Sequence, residues 1–423
     1  MVLAIGCDDR GTNAPTAFHA NGSIDPTRNS PIANPALNFQ IRNPQGLLQM
    51  SVYVPEILFT PQAHPVPFLV LLAPQGGDKF YYSDHGLAEI AEEMIETGEI
   101  QPMVIAMVGN DQVFGGYMYG NSPAAGMYDS VLGQALFEQE RTILAGMLLD
   151  SPTKRGIGGV GQGAYGALRA AITHPGFYGS VSVGDGPIDF DGSGNGGLIS
   201  LFSDVFAEQG IQVGDPSIFT NFDSSKSMPV SDFFIGGSLA FSPHDTLITW
   251  SVDTTGVVVI VNPNTGQVDT LVTGLSYPIT NRDTIADSMT FVPNVITGDT
   301  VGGVNLTNDF NFDFHLPFDA NAQPYAPIWS LWMHNNIDSL NARFGDPLAN
   351  VKLWVATTDQ GSVGQWKSYH DQVEAFLATF SPPTYDVTVI NYEGYPGNPA
   401  TRDQYVHDMI RALLKFHSDA FSQ

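Results

Sequence analysis

The sequence predicts an α/β fold with a mostly parallel central sheet flanked by helices, and three observations carry that reading. Phe68–Ala73 and Met103–Val108 are continuous apolar runs, the composition of strands buried on both faces. Between them Leu87, Ile90, Ala91, Met94 and Ile95 recur at helical spacing, with Glu89, Glu92, Glu93 and Glu96 facing the other way. Further on, Ile157–Leu168 reads as the end of a strand, a very tight glycine-rich turn, and a helix that runs on to His174-Pro175. Strands alternating with helices in this way imply right-handed crossovers and parallel pairing.

The remaining elements follow in order. Over 37–54 the pattern predicts a hairpin about Asn43-Pro44-Gln45-Gly46, because Leu48, Met50, Val52 and Val54 alternate with polar residues. Gly98 closes the first helix, 131–147 is again helical, and Ser180–Val183 is a strand. The regularity then breaks. Residues 190–325 are rich in Gly, Ser, Asp and Asn, with hairpin-like runs at 247–252, 257–261 and 268–272 and a turn at Asn262–Gly266. This is a β-rich insertion, a cap or side lobe on a domain spanning 36–423. Helix 328–335, strand 351–356, helix 366–380, strand 387–391 and helix 402–416 then restore the α/β order. No period of 20–50 residues recurs, so the chain is not a repeat array.

Composition restricts the partners. The chain has 43 acidic and 16 basic residues, a net charge of −27, and its field repels nucleic acid and anionic membranes. One cysteine excludes an intrachain disulfide framework. It ends Leu3-Ala4-Ile5-Gly6-Cys7, which resembles a bacterial lipoprotein signal lacking its basic segment and most of its apolar core, as if the start were truncated. The expected location is therefore secreted or cell-envelope, with membrane contact only through a lipid anchor at Cys7. Residues 8–35, with Pro15, Pro26, Pro31 and Pro35 among Asn, Thr and Ser, read as a flexible linker, so 1–35 is taken as leader and tether. No run of about 20 apolar residues is present to span a bilayer.

The order of signals resembles the esterase-D-like branch of the α/β-hydrolases, which includes feruloyl and acetyl-xylan esterases, S-formylglutathione hydrolases and mycolyltransferases. The likeness is carried by Ser51-Val52-Tyr53-Val54-Pro55, the strand into Gln75-Gly76-Gly77, and Gln101-Pro102-Met103-Val104-Ile105. It is carried further by Asn121-Ser122-Pro123 with Gly126, and by the turn through Tyr165-Gly166-Ala167-Leu168. Ala240-Phe241-Ser242-Pro243 and Leu316-Pro317-Phe318-Asp319 look like that branch's segments after the turn, split by the insertion.

The resemblance implies a nucleophile elbow, G-x-S-x-G, and a serine–histidine–acid triad. Here the elbow reads Gly159-Val160-Gly161-Gln162-Gly163, so the nucleophile position is Gly161. The acid position falls on Asp359 and the base position on Asn398, which cannot titrate near neutral pH. No histidine lies between His370 and His407, and His407 reads as a surface or packing residue. The oxyanion hole needs only main-chain N–H groups, so Gln162 and the Gln75–Gly77 loop, with Gln75 and Gly76 foremost, could still bind a carbonyl or carboxylate.

Other candidates are weaker. Gly236-Gly237-Ser238-Leu239-Ala240 imitates the elbow, but Phe241-Ser242-Pro243 follows and blocks a helix. Asp189 and Asp191 suggest a calcium loop that lacks a distal Glu, a pattern better matched by a solvated acidic turn. Ser122 and Ser182 read as structural, and His315 and His334 could flank a cleft without zinc-ligand spacing. Trp329, Trp332 and Tyr325 could line a ligand groove, although the i, i+3 spacing of the tryptophans equally describes core. No cofactor is expected. The chain reads as an esterase-like protein with impaired catalysis that binds a carbohydrate or acyl ester, or a cell-surface partner. The competing expectations are a working carboxylic-ester hydrolase, its nucleophile elsewhere or replaced by engineering, and a structural subunit using the insertion as its interaction surface.

Overall fold

The computed structural model describes residues 23–25, 29–33, 47–111, 113–122, 126–192, 197–219, 222, 228–244, 249–252, 258–261, 268–271, 299–301, 304–306, 313–360, 364–380, 386–396 and 399–423. Among the described residues nine strands form the central sheet. They are β1 (Ser23–Asp25), β2 (Asn29–Ala33), β3 (Leu47–Val54), β4 (Phe68–Leu72), β5 (Val104–Val108), β6 (Arg155–Val160), β7 (Ser180–Gly184), β8 (Lys352–Gln360) and β9 (Asp386–Pro396). Their order is β1-β3-β5-β4-β6-β7-β8-β9, and β2 also pairs with β3. From β5 to β9 every pairing is parallel, whereas β3 runs antiparallel to β5, β1 and β2.

The apolar runs behave as their composition requires. In β4, Phe68, Val70 and Leu72 enter the core on one face, and Leu69 and Leu71 the core on the other. Burying each such side chain stabilises by about 1.5–3 kcal/mol, which only a doubly covered strand can collect on both faces. One face is covered by α1 (Leu87–Glu96) and the closing helix, α9 (Pro399–Phe421); the other carries α2 (Leu136–Ile143) and α3 (Gln162–Thr173). Between α3 and α9 come α4 (Phe202–Gln209), α5 (Pro229–Phe241), α6 (Ala326–Met333), α7 (Ile337–Arg343) and α8 (Gly364–Thr379).

Two stretches differ from the sequence reading. Besides β5, β3 pairs with β1 and β2, inside the stretch expected as a tether. Edge pairing needs only main-chain groups, so a polar, proline-containing segment can supply it. The hairpin turn expected about Asn43–Gly46 lies outside the described residues. The insertion is β-rich only in part. Strands Thr249–Val252, Val258–Val261 and Val268–Leu271 form an antiparallel sheet where hairpins were expected, but the earlier part of the insertion contains α4 and α5. In α5, Val230, Phe233, Phe234, Ile235, Leu239 and Phe241 are all buried, so no polar face betrays the helix period. No helix among the described residues is long and apolar enough to cross a membrane.

Candidate functional site

Strand β6 ends at Val160, and the chain turns through Gly161 into α3 with φ 60° and ψ −126° at the glycine. Only glycine enters that region cheaply; a side chain there is held under strain. The turn is fixed at main-chain level. The Gly161 N–H donates to the Asp185 carbonyl at 2.7 Å, and the Gly161 carbonyl accepts from Ala164 N–H at 3.0 Å. The flanking glycines are required by proximity. A Cβ on Gly159 would overlap the main chain of Gly163, and one on Gly163 would overlap the Leu72 carbonyl of β4. The sequence thus builds an elbow, buried, at the carboxyl end of the sheet.

Gln162 opens α3, so its N–H has no acceptor within the helix. Its side chain is fully buried: Oε1 accepts from Asn110 Nδ2 at 2.9 Å, while Nε2 has no hydrogen-bond partner. The loop expected to share the oxyanion hole is engaged elsewhere. Gly76 N–H donates to the carbonyls of Asn110 and Gly115, each at 3.0 Å, and Gly77 N–H donates to Pro74 at 3.0 Å. Gln75 Nε2 donates to the Pro229 carbonyl at 2.8 Å, tying the loop to α5. Beside this loop runs Phe114–Tyr119, in which Phe114 (φ 65°), Met118 (φ 53°) and Tyr119 (φ 50°) are non-glycine residues in the left-handed region. Gly116 sits so close to Asn110 that a Cβ would overlap its side-chain amide.

The other expected residues scatter. Asp359 lies near the carboxyl end of β8, where the register against β9 shifts between Thr358 and Gln360. Asn398 lies outside the described residues. Trp332 is fully buried among Phe190, Phe233, Phe234 and Phe241, and Trp329 is half-buried, stacked on Trp332 and edge-on to Phe202. Trp332 is thus a core residue here. Asp189 accepts from Asn336 Nδ2 at 3.1 Å, Asp191 is exposed, and among the described residues no three His, Cys, Asp or Glu side chains group to hold a metal. Ser238 is buried in the middle of α5, which continues through Phe241 where Pro243 was expected to prevent a helix. His407 is exposed on α9 beside Asp408.

Two clusters escaped the sequence reading. His417 on α9 is fully buried and hydrogen-bonded to Ser180 Oγ at 2.8 Å through Nδ1 and to Ser182 Oγ at 3.0 Å through Nε2. Burial alone pushes its pKa down to about 3, so the ring is neutral near neutral pH. Gly156 and Gly158 were its signal: alternate glycines on one strand face mark a close neighbour, and a Cβ on Gly156 would lie 2.6 Å from His417 Nδ1. At the far end of α3, buried Asp129 accepts from Thr173 Oγ1 at 2.6 Å, its carbonyl meets His174 Nε2 at 2.8 Å, and its carboxylate lies 3.6 Å from Arg169 Nε. Burial raises the Asp129 pKa, but Arg169, His174 and Thr173 outweigh it and hold the carboxyl below its ordinary value. Burial likewise lowers the pKa of His174, and its bonds to Asp129 reverse that to a net rise.

No known protein family matches the chain, and no curated protein matches its sequence. Among solved structures, a ferulic acid esterase superposes with a TM-score of 0.50 at 10% identity, over 96% of this chain and 100% of that one. An S-formylglutathione hydrolase from Agrobacterium tumefaciens gives 0.46 at 12% identity, over 96% and 98%. Mycobacterium tuberculosis MPT51 gives 0.43 at 11% identity, over 89% and 94%. At these identities the likeness is one of fold, and the chain has the α/β-hydrolase fold seen in esterases.

Proposed function

We propose that this protein binds an ester or carboxylate ligand above its elbow and does not turn it over. The observation that carries the reading is Gly161, which keeps φ 60° and ψ −126° while presenting no side-chain oxygen. The engagement of the Gly76 and Gly77 amides supports it, since two of the loop donors that would stabilise a tetrahedral oxyanion are already bonded. Without serine or histidine a triad loses on the order of 10⁶ in turnover, leaving about 10³–10⁴ over water from binding and oxyanion contacts.

The test is incubation with p-nitrophenyl acetate and, separately, with a fluorophosphonate probe. The expected result is no saturable turnover and no labelled protein. Either saturable hydrolysis or covalent labelling overturns the reading and makes the protein a working esterase with its nucleophile elsewhere.

A further inference from the structure

The elbow opens onto a helix N-terminus, and here that terminus carries a buried side-chain donor without a partner. Gln162 is fully buried, yet its Nε2 has no hydrogen-bond partner. Such a group is costly to leave unpaired, and its persistence asks for an acceptor. Asn110 Nδ2 donates to Oε1 at 2.9 Å, which leaves Nε2 as the donor without an acceptor. Asn110 also anchors the loops around the elbow, because its carbonyl accepts from Gly76 and its side chain lies under Gly116. The Gln162 amide is therefore held between the start of α3 and the loops that ring it, while the Gly76 and Gly77 N–H groups are already engaged.

We propose that Gln162 supplies two donors, its main-chain N–H and its side-chain Nε2, to the two oxygens of a carboxylate ligand. This rests on the reading of the elbow as a binding site. A carboxylate offers two acceptor oxygens and carries the charge that the start of a helix favours; an alcohol has one oxygen and no charge. Nε2 is sealed from solvent, so a ligand reaches it only with a movement of the surrounding chain.

The test uses the full chain and sodium benzoate, with benzyl alcohol as the neutral control. Calorimetry reads affinity, and the Gln162 side-chain NH₂ resonances, assigned by through-bond correlation to the Gln162 main chain, read contact; Gln162→Met removes both polar side-chain atoms. Gln162→Glu keeps an acceptor for Asn110 and removes the donor. Benzoate is expected to shift the Gln162 NH₂ pair where benzyl alcohol does not, and each variant to bind benzoate at least about tenfold more weakly. Three results overturn the proposal: no benzoate binding by the natural chain up to about 10 mM, unchanged affinity in both variants, or binding with the Gln162 NH₂ pair unmoved. If the variants do not fold, the resonances of the natural chain decide alone. Fluorophosphonate labelling would sink the non-catalytic reading and leave the Gln162 result standing, so the two can fail separately.

Discussion

Strand β6 meets hydroxyl and imidazole chemistry differently along its length. Near its start, Gly156 and Gly158 clear space for a hydrogen-bonded Ser180–His417–Ser182 cluster. Beyond its end, the chain turns through Gly161, where a hydrolase of this fold would present an oxygen. The cluster has the atoms of a nucleophile–base pair but is fully enclosed, and both ring nitrogens are occupied. The elbow has the turn and the helix but no hydroxyl. Reactivity needs the atom and its setting together, and at these two places they are apart. A serine beside a histidine is therefore no sign of catalysis until its access is known.

The largest way to break this comparison is at the elbow's frame. Gly163→Ala adds helix propensity, a gain of up to about 1 kcal/mol. Its Cβ, however, would overlap the carbonyl of Leu72, a main-chain atom that cannot rotate away. A net loss of about 3 kcal/mol or failure to fold is expected by urea denaturation. Wild-type stability in this variant would mean that α3 does not approach β4 as described.

At the other site His417→Gln is expected to cost about 2–3 kcal/mol, because one amide cannot reproduce both serine contacts in a dry position. The acid response sharpens the point. The folded pKa of His417, about 3, lies below the ordinary value of 6.5, so its contribution to stability is complete above about pH 6.5 and is lost as pH falls toward 3. The slope reaches up to about 1.4 kcal/mol per pH unit. Between about pH 6.5 and 5, where ordinary carboxylates remain charged, the natural chain should lose stability and His417→Gln should be flatter. Parallel curves would show that His417 is not buried neutral.

How much was legible follows from the range over which each residue acts. Strands β4 and β5 and the helix between them were written locally, in run length and period. The elbow was legible because Gly159, Gly161 and Gly163 respond to a turn within a few residues. Helix α5 was not: Gly236 and Gly237 read as a turn, but Gly236 admits the Gly116 carbonyl and Gly237 admits Trp332. Asn110 was missed for the same reason, since its side-chain bond is to Gln162, 52 positions away. Sequence showed which donor types surround the elbow; the pairing of Gly76 with Asn110 and Gly115 needed the assembled loops.

The smallest effect is the most informative. Gly161→Ser would place a side chain at φ 60°, ψ −126°, a strain of about 1–3 kcal/mol. Replacing glycine also stiffens the unfolded chain and returns about 0.4–1 kcal/mol. The net expectation is a loss of about 1–2 kcal/mol by denaturant unfolding, and a raised melting temperature would contradict it. The same variant separates two meanings of the missing oxygen. If the glycine is the sole defect, restoring serine should restore fluorophosphonate labelling, because a base would already be waiting. If the base position is also empty, as the proposed assignment of that position to Asn398 would have it, the hydroxyl stays protonated and unreactive, and neither labelling nor saturable turnover should appear. On the proposed reading the second outcome is expected, since a triad that lacked two members would gain little from the return of one.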